Sequence, residues 1–431
     1  MGKFSRLSYQ VYKFGGSSVA DASGFLNVKK ISQDQNSGPL LIVLSALGKT
    51  TNDMEEVADS LISAGEASAL EKLEVVENKH IEIANELGIS ETVVSSVFES
   101  LKDSLKTLGQ YDYDKAYDQL VCFGELCSTR ILFELLSQNS DDVKWIDARK
   151  IIMTNDIHRD ATVNWVVTRE NILKHVKPLL DEGKIVVTQG FIGGYDDWTT
   201  TLGREGSDYS AAIFAYCLDA SELTIWKDVE GILTGDPRAF ENVIKMDRLS
   251  YKEAIEMTYY GAKVIHPKTI KPLENKGIIL HVRSFKSPDM HGTIIKHDVE
   301  VAYPPIVVID RNQALLHIST QDFSFVAEHH MSLIFNLISN YRIKINMMRN
   351  TAISFTVCVT DVKERLDELI QALSREFEVF IDRDMELVTI RHYDNADVKS
   401  IIGSRPIIFE ERIKDTLQMV VRAGEGLKRK D

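Results

Sequence analysis

Short, unbroken apolar runs alternate with helical stretches through the first 220 residues, and no other feature narrows the fold as much. Gln10–Lys13 (QVYK) leads into Gly-Gly-Ser-Ser. Leu40–Ser45 (LLIVLS), Lys184–Gln189 and Glu222–Lys227 (ELTIWK) are further runs. Runs lacking polar alternation suit strands buried on both faces. Between them, 51–64, 69–87 and 115–136 read as helices. This order predicts an α/β fold with a largely parallel sheet and helices on both faces. Ligands of such sheets bind beyond the carboxyl ends of the strands, so the residues after each run are the candidates for chemistry.

The pattern changes at Tyr303-Pro304-Pro305. Beyond it, 306–309 and 314–319 read as short strands, 331–339 as a helix and 353–359 as a strand. Residues 362–373 are helical and 379–381 extended, and a strand-helix-strand series runs from 386 to 421. This is smaller α+β material, which divides the chain into 1–302 and 303–431. A length of 431 residues suits roughly two or three domains. A net charge of −14 argues against a broad nucleic-acid or anionic-membrane surface, though a local positive site can still hold a nucleotide. Four cysteines without a C-x-x-C pair fit reduced thiols better than a disulfide framework. The start MGKFSRLSYQVYKFGG lacks a signal-peptide apolar region, and no apolar run is long enough to span a membrane. A cytoplasmic location is the expectation. The basic tail Lys428-Arg429-Lys430 reads as a solvated end.

Several motifs stand at the strand ends. Lys13-Phe14-Gly15-Gly16-Ser17-Ser18 places a charge, two glycines and helix-start amides together, which suits phosphate oxygens. A plain strand-to-helix turn explains the same residues. Ser45 to Asn52 tempts towards a P-loop through Gly48-Lys49-Thr50, with Asp228 as its metal-side acid, but the pattern needs glycine where Val43 stands. Ser45 and Thr51 read instead as hydroxyls at a strand end, or as caps. Phe123-Gly124-Glu125-Leu126-Cys127-Ser128-Thr129-Arg130 puts a glycine inside a helical pattern, which marks close packing or a ligand. Glu125 beside it suits a ligand ammonium.

Gln189-Gly190-Phe191 is followed by Thr199-Thr200-Thr201-Leu202-Gly203-Arg204-Glu205-Gly206-Ser207-Asp208, an arginine, hydroxyls and glycines before a helix. Arg204 suits a bidentate carboxylate, and Ser207 or Asp208 is expected to cap the helix. After ELTIWK come Asp228 and the turn-rich Gly231 to Arg238, and then Tyr260-Gly261-Ala262-Lys263-Val264-Ile265-His266-Pro267. Without a partner at ligand spacing, His266 reads as a turn residue, and no metal site is predicted.

In this order, over about residues 10–285, the segments resemble the amino-acid kinase family and, within it, the aspartate kinases. The resemblance implies an amino-acid kinase-like open sandwich with a largely parallel sheet. It implies magnesium-dependent transfer from ATP to the side-chain carboxylate of L-aspartate, the first step towards lysine, threonine and methionine. Carried over by motif, Lys13 and Asp208 are catalytic, and Gly15, Gly16, Ser17 and Ser45 bind phosphate. Thr51, Glu125, Phe191, Arg204 and Ser207 form the aspartate site. Lys227, Asp228, Leu233, Arg238 and Lys263 contact the nucleotide. A P-loop enzyme, a silent amino-acid sensor and a glutamate or acetylglutamate kinase are the rival readings.

Three residues depart from the family's pattern: Glu205 replaces a glycine, Lys227 a threonine and Leu233 a tyrosine. The part after 303 resembles tandem ACT regulatory domains, which implies an amino-acid effector and association into homodimers or larger homo-oligomers. Departures there are His330-Met331, Ile345-Asn346 and Thr351-Ala352.

Overall fold

A computed structural model describes residues 8–35, 38–138, 140–262, 265–299, 302–322 and 324–424. The chain forms two compact units. The first holds Met1–Ile232, Lys245–Ile255 and Ile265–Val299. The second holds Leu233–Ile244, Glu256–Val264 and Glu300–Asp431.

The first unit begins with β1 (Gln10–Phe14), α1 (Ala22–Asp34), β2 (Leu40–Leu44) and α2 (Thr50–Ala64). Three long helices follow: α3 (Glu66–Glu86), α4 (Thr92–Leu108) and α5 (Tyr113–Ser137). Then come β3 (Val143–Ile146), α6 (Trp165–Asn171), α7 (Lys177–Asp181) and β4 (Ile185–Gln189). A hairpin of β5 (Ile192–Tyr195) and β6 (Trp198–Thr201) leads to α8 (Gly206–Leu218) and β7 (Glu222–Lys227). The last elements are β8 (Arg248–Ser250), α9 (Tyr251–Tyr259, which crosses into the second unit), α10 (Pro267–Lys276), β9 (Ile279–Ser284) and β10 (Thr293–Lys296). The eight-stranded sheet has the order β3-β4-β2-β1-β7-β9-β10-β8 and is parallel except between β9 and β10.

All five residues of β1 and of β2 are buried, as continuous apolar runs require. One face packs Tyr12, Phe14 and Trp226 against α1 and the α2–α5 layer through Phe25, Leu47, Met54 and Phe98. Burying each such side chain contributes about 1.5–3 kcal/mol. Helix α8 crosses the other face. Asp21 caps α1 by accepting from the Gly24 N–H at 2.8 Å, and Asp112 caps α5 by accepting from Lys115 at 3.1 Å. His266 caps α10 by accepting from the Lys268 N–H at 3.2 Å, and Pro267 opens that helix, so the residue read as part of a turn stands at a helix start. All four cysteines are buried and free.

The second unit has β11 (Ile306–Thr320), α11 (Glu328–Asn340), β12 (Ile345–Asn350) and β13 (Ser354–Thr360). It continues with α12 (Lys363–Leu373), β14 (Phe377–Arg391), α13 (Asn395–Ile402), β15 (Ile407–Ile413) and β16 (Thr416–Arg422). Its antiparallel sheet has the order β12-β13-β11-β14-β16-β15. The two 15-residue strands each serve two half-sheets. Residues 313–319 of β11 pair with β13, and 306–310 pair with the 387–391 end of β14. That end of β14 pairs with β16.

Each half is a strand-helix-strand-strand unit of the ACT-like kind, the second lacking a second helix among the described residues. Where two short strands were expected at 306–309 and 314–319, one strand runs through, irregular between Asp310 and Leu315 with Asn312 at φ 58°. Helices α11 and α12 cover Leu316, Ile318, Phe355 and Val357, while α13 covers Val388 and Ile390. The faces without helices meet through Leu315, Cys358, Leu387 and Val420.

Candidate active site

The register of the parallel sheet builds the site. Phe14 lies level with Leu44 and Trp226, and Leu44 with Gln189. The residues that follow these strands therefore leave the sheet at one edge. A cleft of about 620 Å³ opens there, lined by Lys13, Gly15, Gly16, Ser17, Ser45 and Thr51. Glu125, Phe191, Arg204, Ser207, Asp208, Lys227 and Asp228 line it as well. Thirteen residues picked from separate motifs thus share one cavity. Leu233 and Arg238 belong to the second unit, where Arg238 pairs with Asp236 at 2.8 Å. Lys263 lies outside the described residues.

Strand alternation turns Lys13 away from the Tyr12 and Phe14 face and towards α8. Its Nζ lies 2.7 Å from Asp208 Oδ1, and both residues are buried. Lys227 approaches the same carboxylate at 3.8 Å. Burial alone raises the pKa of Asp208, but the charges of Lys13 and then Lys227 outweigh it and hold the pKa below the usual carboxylate range. Capping of α8 differs from expectation. The cap position is Glu205, in left-handed backbone and without a side-chain capping bond. Ser207 and Asp208 lie in the first turn, where the two lysines engage Asp208.

Gly124 explains how a carboxylate enters the floor of the cleft. A Cβ at Gly124 would stand 2.9 Å from Ala46 Cβ and 3.0 Å from Thr50 Cγ2, so α5 packs this closely only with glycine. The close approach brings Glu125 Oε1 to 3.3 Å from the Ala46 N–H. Oε2 is buried and has no hydrogen-bond partner among the described residues. Burial pushes the pKa of Glu125 up to about 8, against the pull of the Ala46 amide and the Lys13 charge. At Gly16 a Cβ would come within 2.7 Å of the Gly48 carbonyl, so the turn after β1 is closed to any side chain. That turn is a single 3-10 turn, Gly16–Val19, and α1 starts only at Ala22.

Thr201 and Trp226 also line the cleft, as do Tyr117 and Arg159, which belong to none of the motifs. Asp118, fully buried, organises their neighbourhood. It accepts from Thr201 Oγ1 at 2.7 Å, from His158 Nδ1 at 2.8 Å and from the Arg159 N–H at 3.1 Å. Burial still raises its pKa. A signal existed in the sequence: Asp118 precedes Glu125 by seven residues, which puts both on one face of α5. Arg159, 4.3 Å over the Tyr117 ring, left no such pattern.

With a cleft of this charge pattern at the ends of parallel strands, comparison with known proteins is decisive. A profile of the amino acid kinase family matches residues 8–284. The chain belongs to the amino acid kinase family. Within the family, lysine-sensitive aspartokinase 3 of Escherichia coli (strain K12) is 32% identical over 399 residues, spanning 88% of this chain and 86% of its own length. Chloroplastic aspartokinase 3 of Arabidopsis thaliana is 28% identical, spanning 91% and 71%. A crystal structure of E. coli aspartokinase III with lysine and aspartate superposes with a TM-score of 0.81 at 28% identity over 96% of both chains. The same enzyme with aspartate and ADP gives 0.80 at 29% identity. The fold expected from the sequence, a kinase-like α/β body followed by ACT-like material, is that of these family members. Among the described residues no helix is long and apolar enough to cross a membrane.

Proposed function

We propose that the chain is an aspartate kinase that transfers the γ-phosphoryl group of ATP to the side-chain carboxylate of L-aspartate, giving 4-phospho-L-aspartate and ADP. One observation carries this reading. A buried carboxylate with a bare oxygen, Glu125, shares a cleft with an exposed arginine, Arg204, and with the Lys13–Asp208 pair. Such a cleft suits an acceptor bearing both an ammonium and carboxylates. The ammonium meets Glu125, which ionises on pairing, and Arg204 takes a carboxylate. Thr51 and Ser207 offer hydroxyls, and Phe191 packs on the carbon chain.

The attacking carboxylate oxygen is already nucleophilic, so no proton has to be removed. Its bond to the γ-phosphorus forms as the bond from that phosphorus to the β-phosphate bridging oxygen breaks, and ADP leaves with the electron pair. Alignment and charge compensation supply the acceleration. Lys13 and the amides of Gly15, Gly16 and Ser17, with Ser45, hold the moving phosphoryl oxygens. Asp208 holds the Lys13 ammonium in place. Lys227 and Asp228 face the nucleotide.

Among the described residues no three His, Cys, Asp or Glu side chains gather as a metal cage. Mg²⁺ would arrive on the ATP phosphates, with Asp228 in the cleft as the carboxylate to meet it. Bound so, Mg²⁺ neutralises phosphate charge. Catalysis is assigned to residues 1–302 and amino-acid regulation to 303–431, in a cytoplasmic homodimer or larger homo-oligomer. The test is ADP release with aspartate, glutamate or acetylglutamate as acceptor, with hydroxylamine trapping of the acyl phosphate, repeated with lysine, threonine and methionine. Aspartate-dependent ADP release with trapped product is expected. Tight amino-acid binding without turnover would make the chain a sensor instead.

A further inference from the structure

Glu205 stands where the family's pattern has glycine, and its backbone keeps the conformation a glycine would favour, φ 54° and ψ 28°. The side chain has a definite use. Its Oε2 accepts the backbone N–H of His266 at 3.0 Å. His266 is the residue at which α10 begins. Helix α10 is firmly seated, burying Thr269, Ile270 and Leu273 and packing along α8.

A second tie reaches the same turn of α10. Gly203, at φ 76°, lies so close to Asp160 that a Cβ there would come within 2.6 Å of its Oδ1. Asp160 pairs with Lys268. Arg159 and Arg204 both line the cleft, and each is followed in sequence by an acid that grips the start of α10. Arg204 itself makes no ion pair among the described residues, so its aim depends on the backbone beneath it.

We propose that Glu205 is a positioning residue: by binding the His266 amide it fixes the turn bearing Arg204 to α10, and so sets the affinity for the acceptor's carboxylate. This rests on the cleft being the aspartate site. The bond needs an acceptor oxygen and no charge, so glutamine can replace glutamate. Glycine removes the tie while fitting the backbone better.

Steady-state kinetics of Glu205→Gly and Glu205→Gln test the idea. For Glu205→Gly the KM for aspartate is expected to rise about tenfold, the size of one hydrogen bond to a charged acceptor. Its kcat and its KM for ATP should stay within about twofold, because Glu205 touches no reacting group. The melting temperature should not fall, since glycine relieves the left-handed backbone. Glu205→Gln should restore the wild-type KM. Should Glu205→Gly fail to fold, Glu205→Met, which keeps length but has no acceptor, carries the same comparison. An unchanged KM in the variants lacking the acceptor, or an equal rise in the glutamine variant, overturns the proposal. Wild-type protein without aspartate-dependent turnover overturns the functional reading first, and this inference with it.

Discussion

In the first unit Lys13, Ser45 and Lys227 reach one cleft because β1, β2 and β7 run the same way and end level with one another. In the second unit every neighbouring pair of strands is antiparallel, so ends of opposite polarity alternate along each edge. The first arrangement collects charge from distant parts of the sequence. It also obliges the core to hold buried ionisable groups, among them Lys13, Asp208, Glu125 and Asp118. The second also buries charged residues, Glu386 and Arg391, but at separate places on its long shared strands rather than around one cleft. A parallel sheet thus concentrates chemistry at the expense of electrostatic ease, and the antiparallel one forgoes the site and gains continuity.

The contrast breaks first at Lys13. Lys13→Ala should lower kcat about a thousandfold, as expected for loss of a preorganised donor to the transferring group. It should also destabilise the fold, because Asp208 keeps only Lys227 at 3.8 Å. The double variant Lys13→Ala/Asp208→Asn should regain stability without turnover, measured by thermal melting beside ADP release. The sign with pH follows from the lowered Asp208 value. Its contribution is complete above the ordinary carboxylate range and disappears as pH falls through the lowered folded pKa. The single variant should lose that acid limb.

A smaller effect tests the second unit. Phe355 is buried and lies edge-on to Phe335 at 5.8 Å. Phe355→Ala should cost about 3–5 kcal/mol. Hydrogen exchange should rise in β11, β13 and α11 while β1 and β2 keep their protection. Equal loss in both sheets would show the two units unfolding as one.

Glu125→Gln sharpens the comparison by separating stability from use. Removing the charge should raise the KM for aspartate by about tenfold or more. Stability should move the other way. The folded pKa of about 8 lies above the ordinary value of 4.5, so ionisation favours the unfolded chain increasingly between those pH values. Melting temperatures across pH 5–8 should therefore show the variant gaining on the wild type as pH rises.

Much of the first unit was legible because a doubly buried strand leaves an unbroken apolar run. The segment ELTIWK is β7 to the residue, and Leu40–Ser45 overshoots β2 by one. The motif residues of the cleft were legible because strand ends dictate where to look. Arg159 and Tyr117 were not, since they arrive from a loop and a helix interior without glycine or hydroxyl signatures. The strand β12, with sequence INMMRN, lacks the β-branched alternation that marks a strand, so packing against β13 decides its state. In β11 the polar stretch Asp310-Arg311-Asn312-Gln313 separates two apolar runs read as short strands, and pairing across β14 on both sides of it makes one strand.

That continuity has a consequence for the order of synthesis. Residues 306–310 leave the ribosome early, yet their strand partner is 387–391. For some eighty residues of translation this segment waits without its neighbour, beside a half-sheet that can already close. One half, 313–385, is a contiguous stretch inserted into the other, whose strands are 306–310 and 387–422, so cutting the inserted half out detaches 306–310 and leaves the 387–391 edge bare.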